Sequence, residues 1–174
     1  MKLATIGICL DKDRLDFLQT GIEKVTGDGH HAFLVSDNTL GQEKIIESHA
    51  NIGGVVEQPL LKYRDTVVLM LEPTWLTEEQ VQDIVFRAAS KIGCKYDFRN
   101  IVGHLLKWYT LNNEERFICS ELVAYAYLLH VQFLGRDPRA VSPSDIRRHC
   151  VYLNTEPWNR FLLSDYYKGK ISVA

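Results

Sequence analysis

A chain of 174 residues with 46% hydrophobic and 24% charged side chains is long enough to bury its own core and has an ordinary globular composition. Its formal net charge of -2 argues against a nucleic-acid or membrane-surface role driven by bulk basic charge. No run approaches the roughly 18 apolar residues that cross a bilayer, so stable membrane insertion is not expected.

Residues 1–10 carry one basic side chain and a short apolar run, then meet Asp11-Lys12-Asp13-Arg14 without a small-residue cleavage site. A first β-strand over 3–10 explains this better than an export signal. The four cysteines, Cys9, Cys94, Cys119 and Cys150, are scattered and form no Cys-x-x-Cys pair. Neither a zinc or redox site nor a cofactor is expected. Free thiols without an export signal point to a reduced, cytoplasmic protein.

Leu15, Leu18, Ile22 and Val25 recur three and four apart, which predicts an amphipathic helix over 11–25, closed by Thr26-Gly27-Asp28-Gly29. Short strands are expected over 30–36, 43–48 and 53–58, the last after a Gly-Gly break. The more continuously apolar run 66–71 reads as a central strand. Such short, turn-linked runs predict a small, mostly antiparallel sheet or half-barrel.

Thr77-Glu78-Glu79-Gln80 is a capping-box start, and Val81, Ile84, Val85, Ala88 and Ile92 keep helical spacing to a stop at Gly93. Lys95-Tyr96-Asp97-Phe98 opens an apolar segment that continues through Ile101, Leu105 and Trp108. A third helix begins at or beside Cys119 and is expected to end near Gly135. Val123 and Ala126 share a face with Cys119, widened by Leu122, Leu129 and Phe133, so this helix should pack on the sheet. Ser142-Pro143-Ser144-Asp145 begins a fourth, short helix. Residues 151–174, with Trp158, Phe161, Tyr166 and Tyr167, are expected to cross the domain as irregular structure. The whole, residues 1–174, reads as one α+β domain.

A cysteine at a helix start lies beside unpaired N–H groups and the positive end of the helix dipole, and both favour the thiolate. The alternative is that Cys119 is one more small buried apolar residue. A thiolate nucleophile needs a base, and the base needs a third group to fix its tautomer. The candidates are His30 or His31 on one strand and Glu47 on the next, within reach across an antiparallel pair. His49, His104, His130 and His149 read as ordinary surface or partly buried residues.

Several motifs then occur in one order. They are His31-Ala32-Phe33-Leu34-Val35, Ile45-Ile46-Glu47-Ser48, Gly53-Gly54-Val55-Val56 and Pro59-Leu60-Leu61-Lys62-Tyr63. Gly93-Cys94-Lys95-Tyr96-Asp97, Phe117-Ile118-Cys119-Ser120-Glu121-Leu122-Val123 and Ser142-Pro143-Ser144-Asp145-Ile146 follow. In this order the sequence resembles the permuted papain-like amidases, the YiiX-like branch of the NlpC superfamily of cysteine hydrolases. The Cys-Ser-Glu-Leu-Val piece is the most specific match.

The resemblance implies a circularly permuted papain-like fold in which the histidine strand precedes the cysteine helix. It implies Cys119 as nucleophile, Glu47 as the residue orienting the base, and Tyr96 as a tyrosine lining the site. His31 fits a His-Ala-apolar-apolar frame and is favoured as the base. His30, with the small Ala32 two places on along its face, is the alternative. Glu121 reads as a local cap without a catalytic role.

The implied substrates are amide bonds in peptidoglycan stem peptides or other amino-acid amides. Without an export signal, an intracellular recycling enzyme, a phage-encoded component or an acyltransferase is expected. Competing readings are a lipid acyltransferase or thioesterase, a protease acting on a protein modifier, and a non-catalytic scaffold.

Overall fold

The computed structural model describes residues 1–10, 30–99, 101, 115–152 and 159–162. The helix expected over 11–25, His104, Leu105, Trp108, Trp158, Tyr166 and Tyr167 lie outside them.

Eight strands form one mixed sheet: β1 (Ile6–Cys9), β2 (His31–Asp37), β3 (Lys44–His49), β4 (Gly54–Pro59), β5 (Val67–Leu71), β6 (Lys95–Tyr96), β7 (Arg116–Phe117) and β8 (Asn159–Leu162). Their order across the sheet is β7-β6-β4-β3-β2-β1-β5-β8. The β6–β7 pair is parallel and the other pairs are antiparallel. Among the described residues three α-helices accompany it: α1 (Glu78–Ala89), α2 (Cys119–Tyr127) and α3 (Pro143–Tyr152). The chain is therefore mixed α+β with a mostly antiparallel sheet, as its sequence predicts.

The sheet is buried on both faces, which explains why β1, β2 and β5 read as nearly continuous apolar runs. On one face Ile6, Ile8, Ala32, Leu34, Ile46 and Val55 pack with Ile84 and Ala88 of α1, with Leu122, Val123 and Ala126 of α2, and with Ile146 of α3. On the other, Cys9, Phe33, Val35, Ile45, Val68 and Met70 form a second cluster around Leu60. The two-residue period of a strand assigns His31 and Glu47 to this second face, in line with Phe33 and Ile45.

Thr77 caps α1 as expected: its hydroxyl accepts from the Gln80 N–H at 3.3 Å, and the Gln80 side chain accepts from the Thr77 N–H at 3.0 Å. The helix ends at Ala89 rather than near Ile92. The N–H groups of Lys91 and Ile92 bond the carbonyls three residues back, at 3.1 Å each, which tightens the last turn out of α geometry. Gly93 then takes φ +94°.

Helix α2 likewise stops at Tyr127, well short of Gly135. The Arg87 guanidinium of α1 donates to the carbonyls of Tyr125 and Ala126 at 3.0 and 3.2 Å. It thereby supplies from another element what a further helical turn would supply. Leu129 accordingly does not widen the buried face; it is 67% exposed. Phe133 is buried, in a separate 3-10 turn (Phe133–Gly135).

Residues 159–162 depart from the irregular structure expected there. They pair antiparallel with β5, from Val67↔Leu162 to Met70↔Asn159. Strand β5 is therefore interior, one place from the edge. Its partner was hidden because Asn159-Arg160-Phe161-Leu162 is too short to show a period.

Candidate active site

The site forms where two strands part. The β2–β3 ladder covers Leu34↔Ile46, Val35↔Ile45 and Asp37↔Lys44, all at the far end from His31. At the near end the segment leading into α2 comes in beside β3. The Ser48 hydroxyl donates to the Phe117 carbonyl at 2.6 Å, and the Ala32 N–H bonds the Cys119 sulfur instead of a β3 partner. The nucleophile candidate thus sits at the opening of the ladder, at the first residue of α2.

His31 links the cysteine to the carboxylate. Its Nε2 lies 2.7 Å from Glu47 Oε2, and its ring also hydrogen-bonds the Cys119 sulfur. With Nε2 taken by Glu47, Nδ1 is the nitrogen that serves the sulfur. His30 occupies the bend before β2, its N–H on the Cys9 carbonyl at 3.2 Å. It is the ring of His31 that is held between Glu47 and Cys119.

Glu47 is fully buried, at 0% exposure, and a buried carboxylate must be saturated with donors to remain charged. It has three: His31, the Tyr63 hydroxyl at 2.5 Å on Oε2, and the Lys62 ammonium on Oε1. Pro59 ends β4 and turns the chain into a 3-10 helix (Leu60–Tyr63), which carries both side chains back beneath the sheet. Tyr63 is stacked on Phe33 with ring centroids 5.1 Å apart. Sequence reading quoted Lys62 and Tyr63 within a motif without assigning them a role. The signal was there: a cation and a phenol directly after a proline-terminated strand that follows the glutamate strand.

These contacts set the protonation states. Burial pushes the Glu47 carboxyl up, but the bonds and charge of His31, with Lys62 and Tyr63, hold it down to about 2. Burial likewise opposes charge on His31, yet its bonds to Cys119 and Glu47 and their negative charge raise it to about 9. Burial disfavours the Cys119 thiolate, and His31 together with the N–H groups of Ala32 and Ser120 outweighs this, lowering the thiol below its ordinary value. Both shifts favour the thiolate–imidazolium form of the pair. Cys150 is pushed the other way by burial, up to about 12.

Tyr96 borders the site. It pairs with Phe117 across β6–β7 and packs with Ile118 and Ile101. Burial and the negative charges of Cys119 and Asp97 raise its phenol well above the ordinary range, so it stays an O–H donor. Glu121 caps locally, its carboxylate accepting from the Ile118 N–H at 3.4 Å. His49, read from sequence as ordinary, lies edge-on to His31 with ring centroids 5.3 Å apart.

No family model matches the chain, and no curated protein matches it. Four chains of solved structures do. One is the metalloprotein YiiX from Escherichia coli O157:H7, with a TM-score of 0.57 and 18% identity, over 78% of this chain and 68% of that one. In this chain the donors around His31 do not fit a metal: Glu47 and Cys119 occupy the ring, and an ammonium sits on Glu47. Among the described residues no three His, Cys, Asp or Glu side chains are grouped to hold an ion. Likeness at this identity speaks to architecture: the chain has a YiiX-like α+β fold.

Proposed function

We propose that this chain is a cysteine-dependent hydrolase of amide bonds in small peptides, of the permuted papain-like type within the NlpC superfamily. Its substrates are cell-wall-type stem peptides or amino-acid amides. One observation carries the reading: the Cys119 sulfur, the His31 imidazole and the Glu47 carboxylate form a continuous hydrogen-bonded chain at a helix N-terminus. A structural core requires no such series of a thiol, an imidazole and a buried carboxylate.

The Cys119 thiolate attacks the amide carbonyl carbon, forming a C–S bond and an oxyanion. The Cys119 N–H, in the first turn of α2, is a donor for that oxyanion. The His31 imidazolium gives its proton to the leaving nitrogen as the C–N bond breaks, which leaves a thioester and a neutral imidazole. That imidazole takes a proton from water as the water oxygen bonds the thioester carbon. The C–S bond then breaks, and thiolate and imidazolium are restored. Glu47 holds the ring by Nε2 throughout, and the Tyr96 O–H binds a carbonyl or amine of the substrate.

The test compares the protein with Cys119→Ala on peptidoglycan stem peptides, amino-acid amides, acyl lipids and ubiquitin-like fusions. Amide hydrolysis by the wild-type protein, abolished in a Cys119→Ala variant with an unchanged circular dichroism spectrum, is the expected result. Turnover that survives the substitution would end the reading.

A further inference from the structure

Glu47 holds two cations, His31 and Lys62, where orienting a histidine requires only the first. The ammonium belongs to a side chain 27% exposed, so its charge is solvated at little cost while its tip reaches the buried carboxylate. In the thiolate–imidazolium form, Cys119, His31, Glu47 and Lys62 alternate in sign along one line of contacts and are neutral overall. The other titratable groups facing this line are Tyr63 on Glu47, Cys9 opposite His31 across β1–β2, His49 edge-on to His31, and Tyr96 beside Cys119.

We propose that Lys62, assisted by Tyr63, is a positioning residue that keeps Glu47 a carboxylate through the whole reaction, so that Glu47 orients His31 without taking its proton. The inference rests on the cysteine-hydrolase reading above. In that cycle His31 is an imidazolium only part of the time. Once it has protonated the leaving nitrogen, a fully buried Glu47 faces a neutral ring, and burial then favours the carboxylic acid. A carboxylic acid at Nε2 would present the wrong hydrogen-bond partner and alter the tautomer that Nδ1 needs when it accepts the proton of water. The Lys62 ammonium and the Tyr63 hydroxyl still bond Glu47 at that moment, so the carboxylate survives the neutral phase. Tyr63 is itself fixed by its stack on Phe33.

The sign of the effect is open to measurement. Removing a cation from a buried cluster weakens every acid in it, so the titrations of Cys119 and His31 both move to higher pH. Iodoacetamide alkylation of Cys119, followed peptide by peptide against pH, reads the thiolate directly. In Lys62→Met, which keeps the aliphatic stem, the acid midpoint is expected to rise by about one pH unit. Lys62→Arg keeps the charge and should leave the midpoint at its wild-type value. Tyr63→Phe keeps the stack, loses the hydroxyl and should move the midpoint in the same direction as Lys62→Met by less.

An activated wild-type Cys119 with an unmoved Lys62→Met midpoint would overturn the proposal alone. An equal shift in Lys62→Met and Lys62→Arg would also overturn it, because charge would then not be the cause. A wild-type Cys119 alkylated no faster at pH 6 than Cys150 would remove the triad itself, and the role of Lys62 with it.

Discussion

The Ser48 hydroxyl donates to the Phe117 carbonyl at 2.6 Å, tying the strand that carries Glu47 to the residue two before Cys119. Ser48 and Glu47 are consecutive and so point to opposite faces of the sheet. One strand therefore holds His31 from below and the segment leading to Cys119 from above. Ser48→Ala removes the shorter of two bonds to this carbonyl, which also accepts from the Asp97 N–H at 3.2 Å, and should cost about 1 kcal/mol of stability. It should also slow Cys119 alkylation, because the sulfur loses its register with His31. Urea unfolding and labelling rates on the same sample measure both.

Glu47→Gln preserves the size of the side chain and removes the charge that favours the imidazolium. His31 should then titrate lower, and the Cys119 thiolate should lose its counter-ion. On the proposed cysteine-hydrolase reading, amide turnover is expected to fall by about ten-thousand-fold, the drop seen when a triad carboxylate is replaced by its amide. The measurement is kcat, with KM nearly unchanged because Glu47 does not face substrate.

The same contacts give stability a pH dependence. His31 is raised from 6.5 to about 9 in the folded protein. Its contribution is complete below pH 6.5 and is lost as pH rises through about 9. Glu47 is held down from 4.5 to about 2, so its contribution is complete above pH 4.5 and is lost as pH falls through about 2. The two share one hydrogen bond, so these gains do not add. Cys119 is lowered from its ordinary value, so its contribution grows as pH rises toward about 9 and offsets the loss from His31. The thermal unfolding midpoint should therefore hold level from neutral pH to about 9 and decline above it. In Glu47→Gln the alkaline decline should flatten.

Gly54 marks a close approach: a Cβ there would lie 2.1 Å from the Cys94 carbonyl oxygen. Gly54→Ala must push β4 from β6, the strand that brings Tyr96 beside the cysteine. A loss of about 1–3 kcal/mol is expected, together with slower Cys119 labelling. Gly53, at φ +88°, makes the turn just before it. The Gly-Gly pair read from sequence as a strand break thus has two separate causes.

Much of the site was legible because its parts follow backbone periods. The His31 and Glu47 strands, the start of α2 at Cys119 and the capping box at Thr77 are local features, and each appears where its residue types predict. What escaped is tertiary. Arg87 ends α2 from a neighbouring helix, and β8 exists because β5 offers it an edge. Pattern favours His31 over His30 only through its His-Ala-apolar-apolar frame, since a one-residue slip exchanges their faces. The register of β2 decides which of the two rings meets Glu47. Lys62 and Tyr63 went unassigned because nothing in a linear reading announces that a 3-10 turn folds them under a glutamate 15 and 16 residues earlier.

The most direct test of the central claim is to trap the acyl-enzyme. The protein is mixed with an activated amino-acid ester, quenched in acid within milliseconds to seconds, and its peptides are weighed. The account predicts an acyl mass on the Cys119 peptide that forms faster than it decays, is absent from Cys119→Ala and accumulates slowly in His31→Ala. Hydrolysis that proceeds in Cys119→Ala, with no acyl mass on Cys119 in the wild-type protein, would contradict it.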